Sequence, residues 1–253
     1  MSFRHLDQFA RIDSPVARRA PTVRLLGTVV LAAGAALLPP GAWPQMAGLG
    51  LLVLALVAAA RIPARTFAIR LAAPLAFVVL VSGAVLVLAP GETLMRLGPV
   101  RITDTGLLRF GSVLGRAAVA LGAAVVLVST TPFDELVRAL RTLRLPEAVT
   151  TALALAYRYL YILNDEIERM RRAARSRNAG EGATSRRRLM MGITGAALHR
   201  SFARSERLHQ AMLARGYTGE MPTLHAGPGT GRPVLEVAAL VAVVGAISGS
   251  ALL

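Results

Sequence analysis

The residues of this sequence best suited to chemistry are its arginines, and two of them sit in matched settings. Ala174-Arg175-Ser176 and Ala214-Arg215-Gly216 each hold one arginine between small residues. Small neighbours let the backbone approach a partner surface closely. The guanidinium that projects from it is planar and permanently charged, and it can grip a carboxylate through two parallel hydrogen bonds. One such triplet, taken alone, reads more simply as an arginine closing a helix C-terminus, where the helix dipole favours it. Two in one basic stretch point to docking, because a desolvated arginine–carboxylate contact costs several kcal/mol to lose.

Other candidate chemistry is thin. Asn164-Asp165-Glu166 with Glu168 could hold Mg²⁺ in a membrane enzyme acting on lipid or isoprenoid, but Arg169, Arg171 and Arg172 follow at once, and ion pairing accounts for the acids. The four histidines, His5, His199, His209 and His225, include no pair four residues apart, so no metal cage is expected. Ser248 lies beside Gly249, yet no His or Asp sits in an apolar stretch to activate it. The chain has no Cys, which removes disulfides, thiolate metal sites and a cysteine nucleophile. Its 29 basic residues are all Arg, so no phosphate-binding Gly-x-x-x-x-Gly-Lys-Ser/Thr loop exists and any ATP hydrolysis belongs to another subunit. Gly227-Pro228-Gly229-Thr230-Gly231 reads as a linker. The arginines are not interleaved with aromatic residues, which argues against nucleic acid. No catalytic residue, metal ligand or cofactor is expected in this chain.

The elements that must position the two triplets are helical and, for the most part, apolar. Only 17% of residues are charged, too few to cover a soluble protein of 253 residues, where about a quarter is usual. Leu25–Ala60 carries no charge, and as one helix it would run roughly 54 Å, well beyond a hydrocarbon core of about 30 Å. Pro39-Pro40-Gly41 and Pro44 break it, predicting a hairpin of spans over 25–38 and 46–60. Further spans are predicted at 71–91, 111–128 and 233–253. Residues 1–24 lack an apolar core and do not read as a cleavable signal peptide. The segment 131–232 carries 17 Arg against nine acidic residues, and the 61–70 turn and the N-terminal segment are also strongly positive. Five spans with the N-terminus inside put every strongly positive segment in the cytoplasm. An apolar stretch at 149–163 is an alternative sixth segment. Gly111, Gly115, Ala118 and Gly122 fall at spacings of four, three and four, a face for close helix packing, and Gly245 and Gly249 make a shorter one.

Within 131–232, Pro132 opens a short amphipathic helix over 133–143. A longer one carries the stripe Val149, Leu153, Ala156, Leu160, Leu163, Ile167, Met170 and Ala174, with Asp165–Arg169 and Glu168–Arg172 spaced to pair on its surface. A second amphipathic helix is predicted over about 186–215, with Leu198, Phe202, Ser205, Leu208 and Met212 on one face and Gly216 at its end. The triplets finish these two helices. The predicted class is therefore all-α: a multi-pass helical membrane protein with an amphipathic cytoplasmic helix unit.

These residues together resemble the T component of energy-coupling factor transporters, most closely the cobalt-transport type called CbiQ. The resemblance rests on Thr130-Thr131-Pro132, Leu143-Arg144-Leu145-Pro146, Tyr157-Arg158-Tyr159, the two triplets and Ile12-Asp13-Ser14-Pro15, set between four upstream spans and one C-terminal span. It covers nearly the whole chain. It implies a non-catalytic scaffold in the cell inner membrane, with Ala174, Arg175, Ser176, Ala214, Arg215 and Gly216 coupling to two copies of a cytoplasmic CbiO-like ATPase. It further implies a CbiM-like membrane substrate-binding component, with a small CbiN-like accessory protein as an option. ATP and Mg²⁺ would be bound by the ATPase, and cobalt by the substrate-binding component. Nickel or a vitamin would use a similar scaffold. The first triplet ends in Ser rather than Gly, a small departure. The permease of a conventional ATP-driven importer is the other transport reading, though it offers one coupling loop rather than a two-helix unit.

Overall fold

The computed structural model describes residues 14–88, 93–97, 100–177, 182–219 and 233–250, and the expectations that fall on 1–13 and on the Gly227–Gly231 linker lie outside them. The elements in order are α1 (Pro21–Leu37), α2 (Trp43–Ala59), α3 (Ala64–Leu88), β1 (Thr93–Leu97), β2 (Val100–Thr103), α4 (Asp104–Thr130), α5 (Phe133–Thr142), α6 (Glu147–Ser176), α7 (Ala183–Leu213) and α8 (Pro233–Gly249). The helical class holds, with one addition. Residues 93–97 and 100–103, which lie in none of the predicted spans, pair as two antiparallel strands in which Leu97 pairs with Val100 and Arg96 with Arg101. The contacts divide the chain into an apolar unit, Leu6–Ala139 with Gly227–Leu253, and a second unit that takes in Leu140–Ala226.

In the apolar unit, helix ends follow local chemistry. Pro21 sits in the first turn of α1, where its missing N–H costs nothing. Thr103 caps α4, its hydroxyl accepting the Gly106 N–H at 3.2 Å. A side chain at Gly106 would meet that hydroxyl at 2.7 Å and the Leu86 carbonyl at 2.8 Å, so only glycine fits between the cap and α3. α3 starts at Ala64, seven residues before the predicted span, because Arg65 and Arg70 are accommodated in its first turns rather than in a preceding loop. Arg70 donates to Ser129 of α4 at 2.7 Å.

α4 is the centre of this unit, packing against α1, α2 and α3. The glycine face is what α2 fills. A Cβ at Gly111 would lie 2.5 Å from the Trp43 ring, one at Gly115 3.0 Å from Met46 Sδ, and one at Gly122 2.9 Å from Val53 Cγ1. Ala118 on the same helix is half-buried. The core continues through Leu31, Ala35, Leu49, Val53, Val119, Ala123, Val126 and Val244. On α8, a Cβ at Gly245 or Gly249 would meet nothing within 4 Å among the described residues. Leu240, Val244 and Ile247 are the side chains that reach α1 and α2, against Gly27, Gly34 and Gly48.

Arg24, expected to lie in a polar segment before the first span, is instead a buried residue inside α1. It donates to the Thr130 carbonyl, to Thr131 Oγ1 at 3.1 Å and to the Glu135 carboxylate, which binds α1 to the junction of α4 and α5. At the opposite end of α1, the Gly41 N–H donates to Ser112 Oγ at 3.1 Å, so α1 and α4 run antiparallel. α3 and α4 are long and apolar enough to cross a membrane, and α1, α2 and the segment Val234–Gly249 are shorter apolar helices.

Two stability measurements test this packing in detergent-solubilised protein. Gly122→Ala is expected to lower stability by roughly 1–3 kcal/mol through overpacking, while Gly245→Ala stays within about 0.5 kcal/mol. Arg24→Ala is expected to cost about 3 kcal/mol, because it strands Glu135 and the Thr130 carbonyl. Thermal unfolding checks both, and equal midpoints for the two glycine variants would contradict the α2–α4 contact.

Candidate functional site

The second unit is built from α6, with 30 residues, and α7, with 31. The chain enters α6 through Arg144, which adopts a left-handed conformation (φ 61°) that costs a non-glycine residue about 1–2 kcal/mol. The Leu145 N–H closes back on Leu140 at 3.3 Å, ending α5, and Pro146 then starts α6. Along α6, Tyr157 and Tyr161 stack edge to face, with their hydroxyls 2.7 Å apart.

The clasp between the two helices is Glu166. Its carboxylate accepts from Arg200 Nη1 at 3.1 Å and from Arg204 Nη2 at 3.1 Å, one oxygen to each. Glu166 is buried, while Arg200 and Arg204 lie one turn apart on α7. The Arg200 hydrogen bond pulls the Glu166 pKa below the ordinary carboxylate value. Burial opposes that shift, and the charges of Arg204, Arg200 and Arg169 reinforce it. The sequence reading paired Glu168 with Arg172, and that surface contact is present at 3.5 Å. It treated Glu166 as one of a run of acids and missed its partners, because they lie 34 and 38 residues away on another helix.

This clasp also corrects the predicted apolar faces. On α7 the inward positions are Ile193, Ala197, Ser201, Arg204 and Leu208, a stripe at helical spacing that turns Arg204 towards Glu166, whereas Leu198 and Phe202 are exposed. On α6, Leu153, Leu163, Ile167, Met170 and Ala174 are half-buried, but Val149, Ala156 and Leu160 are exposed. The stripe is real as periodicity and only partly used within the chain.

The two triplets lie at the helix ends. Arg175 is in the last turn of α6, Ser176 Oγ donates to the Ala173 carbonyl at 2.9 Å, and Arg177 closes the helix. Gly216 ends α7 with φ 81°. The Tyr217 N–H donates to Met212 and the Gly216 N–H to Leu213, both at 3.0 Å, which satisfies the last carbonyls through a left-handed residue that glycine adopts freely. Arg175 and Arg215 are exposed, and among the described residues neither guanidinium has a hydrogen bond or ion pair. Ala174 is half-buried, and Ser176, Ala214 and Gly216 are exposed. From Glu166 to Arg175 is nine residues and from Arg204 to Arg215 eleven, so each tip stands roughly 14–17 Å beyond the clasp. Such an arrangement can present two permanent cations on small-residue platforms at fixed positions on one helical pair. Among the described residues no group of three His, Cys, Asp or Glu side chains is placed to hold a metal ion. Glu166 is committed to arginines. One further arginine went unremarked in the sequence: Arg116 lies within the apolar stretch of α4, half-buried, its Nε without a partner among the described residues.

Because the folded-state pKa of Glu166 is depressed, its contribution to the α6–α7 unit is fully present above the unfolded carboxylate pKa and is lost as the pH falls through the folded one. Distances between spin labels on α6 and α7 are expected to be constant at neutral pH and to lengthen on acidification below the ordinary carboxylate range. Glu166→Gln should open the unit at neutral pH, with a loss of about 1–2 kcal/mol, since both arginines keep partial access to water. Label distances independent of pH and of this substitution would rule out the clasp.

Comparison with known proteins bears on the same regions. The model of the CbiQ family, described as cobalt transport protein, matches residues 13–224, which include both triplets. Cobalt transport protein CbiQ of Rhodobacter capsulatus is 30% identical over 201 residues, covering 76% of this chain and 78% of that protein. The energy-coupling factor transporter transmembrane protein EcfT of Heliobacterium modesticaldum is 31% identical over 229 residues, covering 85% of this chain and 84% of its own length. An uncharacterised protein of Methanocaldococcus jannaschii is 30% identical over 121 residues, a match spanning 48% of this chain and only 44% of that protein. With a family model matched over most of its length and its apolar helices in place, the chain is a membrane transport protein that belongs to the CbiQ family.

Proposed function

We propose that this chain is the transmembrane scaffold of an energy-coupling factor importer for cobalt. In this reading the two arginine tips engage a pair of cytoplasmic ATPase subunits. Their closure drives movement of a membrane-embedded substrate-binding component, with a small accessory membrane protein as a further partner. The observation that carries the reading is the pair of exposed tips, Arg175 and Arg215, on helices held together through the buried Glu166. A permanent cation whose guanidinium has no partner among the described residues, between small neighbours, suits capture of an acidic pocket. ATP and Mg²⁺ would be handled by the ATPases and the cobalt ion by the substrate-binding component. Nickel or a vitamin remains the alternative cargo.

The reading takes α1, α2, α3, α4 and α8 as five spans of the cell inner membrane. Along α4, from Ser112, level with Gly41, to Thr130, level with Arg24, is eighteen residues, or roughly 27 Å of helix rise, close to a hydrocarbon core of about 30 Å. Large apolar side chains face outward on these helices, with Leu80 76% and Phe77 68% exposed, a surface suited to lipid. Arg70, bonded to Ser129, lies at the Arg24 end of these helices, and the positive-inside rule then favours that end, the N-terminus and the basic 131–232 segment as cytoplasmic.

Arg175→Ala or Arg215→Ala is expected to leave the protein in the membrane while weakening ATPase co-purification roughly tenfold or more and abolishing uptake. The double variant should be worse than either single one. Arg→Lys should rescue only part, because the ammonium lacks the planar fork. Cobalt accumulation and pull-down of the ATPase read these outcomes, and normal transport by the double variant would overturn the assignment.

A further inference from the structure

The apolar unit contains a cleft of about 520 Å³ that no part of the coupling mechanism uses. Its floor is α1 and α4. Its side walls are α2, through Leu52, Leu56 and Ala59, and α8, through Val243, Leu240 and Ala239. α2 and α8 meet where Ile247 lies 3.5 Å from the position a Gly48 Cβ would take, and below that level they line opposite sides of one space. Ala59, Ala239 and Val243 are exposed, so the cleft opens sideways between the two helices. The lining is apolar apart from Thr28, whose hydroxyl donates back to the Arg24 carbonyl at 2.9 Å, and one end where Arg19, Arg24, Thr130 and Glu236 gather. Arg19 pairs with Glu236 yet stays 54% exposed, with further N–H donors to offer. Arg24 keeps a buried Nε–H without a hydrogen-bond partner among the described residues.

We propose that this cleft binds an acyl chain of an anionic phospholipid from the cytoplasmic leaflet, entering between α2 and α8 with its phosphate against Arg19 and Arg24. The inference rests on reading the apolar helices as bilayer spans with Arg24 at the cytoplasmic face. Size selects the occupant. From Val23 to Leu31 the floor is roughly 12 Å deep, comparable with a single leaflet of roughly 15 Å. Water is a poor occupant, because the walls offer it almost no polar partners. Charge selects the headgroup, since the mouth sits on the most basic edge of the unit and carries donors still unused.

The test uses the full chain in nanodiscs of phosphatidylglycerol or phosphatidylcholine, followed by native mass spectrometry after transfer to detergent. One phosphatidylglycerol per chain should be retained, and phosphatidylcholine should not. Val243→Trp, and independently Ala239→Trp, should lose the retained lipid without loss of the folded protein, since both positions are exposed. Arg19→Ala should lower the preference for phosphatidylglycerol about fivefold. Retention unchanged by both tryptophans, or equal retention of the two lipids, would overturn the proposal, as would a partner's helix crosslinking into the cleft. The chain has no native Cys, so Ala20→Cys labelling reports sidedness separately. Labelling from the outer side sinks the topology. Labelling from the cytoplasm without retained lipid sinks only the lipid site.

Discussion

Close approach of α2 to α4 is the constraint on which the apolar unit depends. Side chains in a bilayer gain little by leaving lipid for one another, so helices there associate through contact density rather than through the hydrophobic effect. Gly111, Gly115 and Gly122 supply that density by leaving room for Trp43, Met46 and Val53. The same logic recurs where Gly34 receives Val244. With α2 seated, α4 is free on its other sides to meet α1 and α3. The polar ties at the two ends, Arg24 to the end of α4 and Gly41 to Ser112, then set its register against α1.

Among the described residues, each unit holds a buried ion whose partners define local geometry. Arg24 and Glu166 are opposite in charge and alike in design: each is buried, and each is held by groups from another helix. A buried charge is tolerable only when paired and hydrogen-bonded, and removing one partner costs far more than the pair contributes. Such contacts choose one arrangement among several that apolar packing alone would allow. For α7 the effect is visible, because the stripe that faces α6 is the one that carries Arg204, while Leu198 and Phe202 remain outside.

The exposed apolar positions on α6 and α7 have a different meaning from those on α3. On α3 they match what a bilayer would cover. On the basic helices they are scattered among arginines, Val149 and Leu160 on α6 and Leu198, Phe202 and Leu213 on α7, a mixture that lipid tails would not cover. The open cleft between α2 and α8 belongs to neither class, since its charged groups are confined to one end.

Much of this was legible in the chain itself. The helical class, the break at Pro39-Pro40-Gly41, the α2-facing glycines, the glycine that ends α7 and the two arginine triplets are all written in local spacing, because helix periodicity and capping act over four residues or fewer. The family likeness was carried by short motifs in a fixed order. What spacing could not reveal was the 93–103 hairpin, the burial of Arg24, the partners of Glu166 and the choice of face on α7. Arg24 and Glu166 meet their partners across 34 or more positions of sequence, and the face of α7 depends on which of two apolar stripes finds a neighbour. The hairpin forms over a short stretch of sequence that shows no sustained alternation of apolar and polar side chains. A sequence states what a side chain can do; only the packed chain decides which group stands opposite it, because burial and pairing energies arise from neighbours in space rather than neighbours in order.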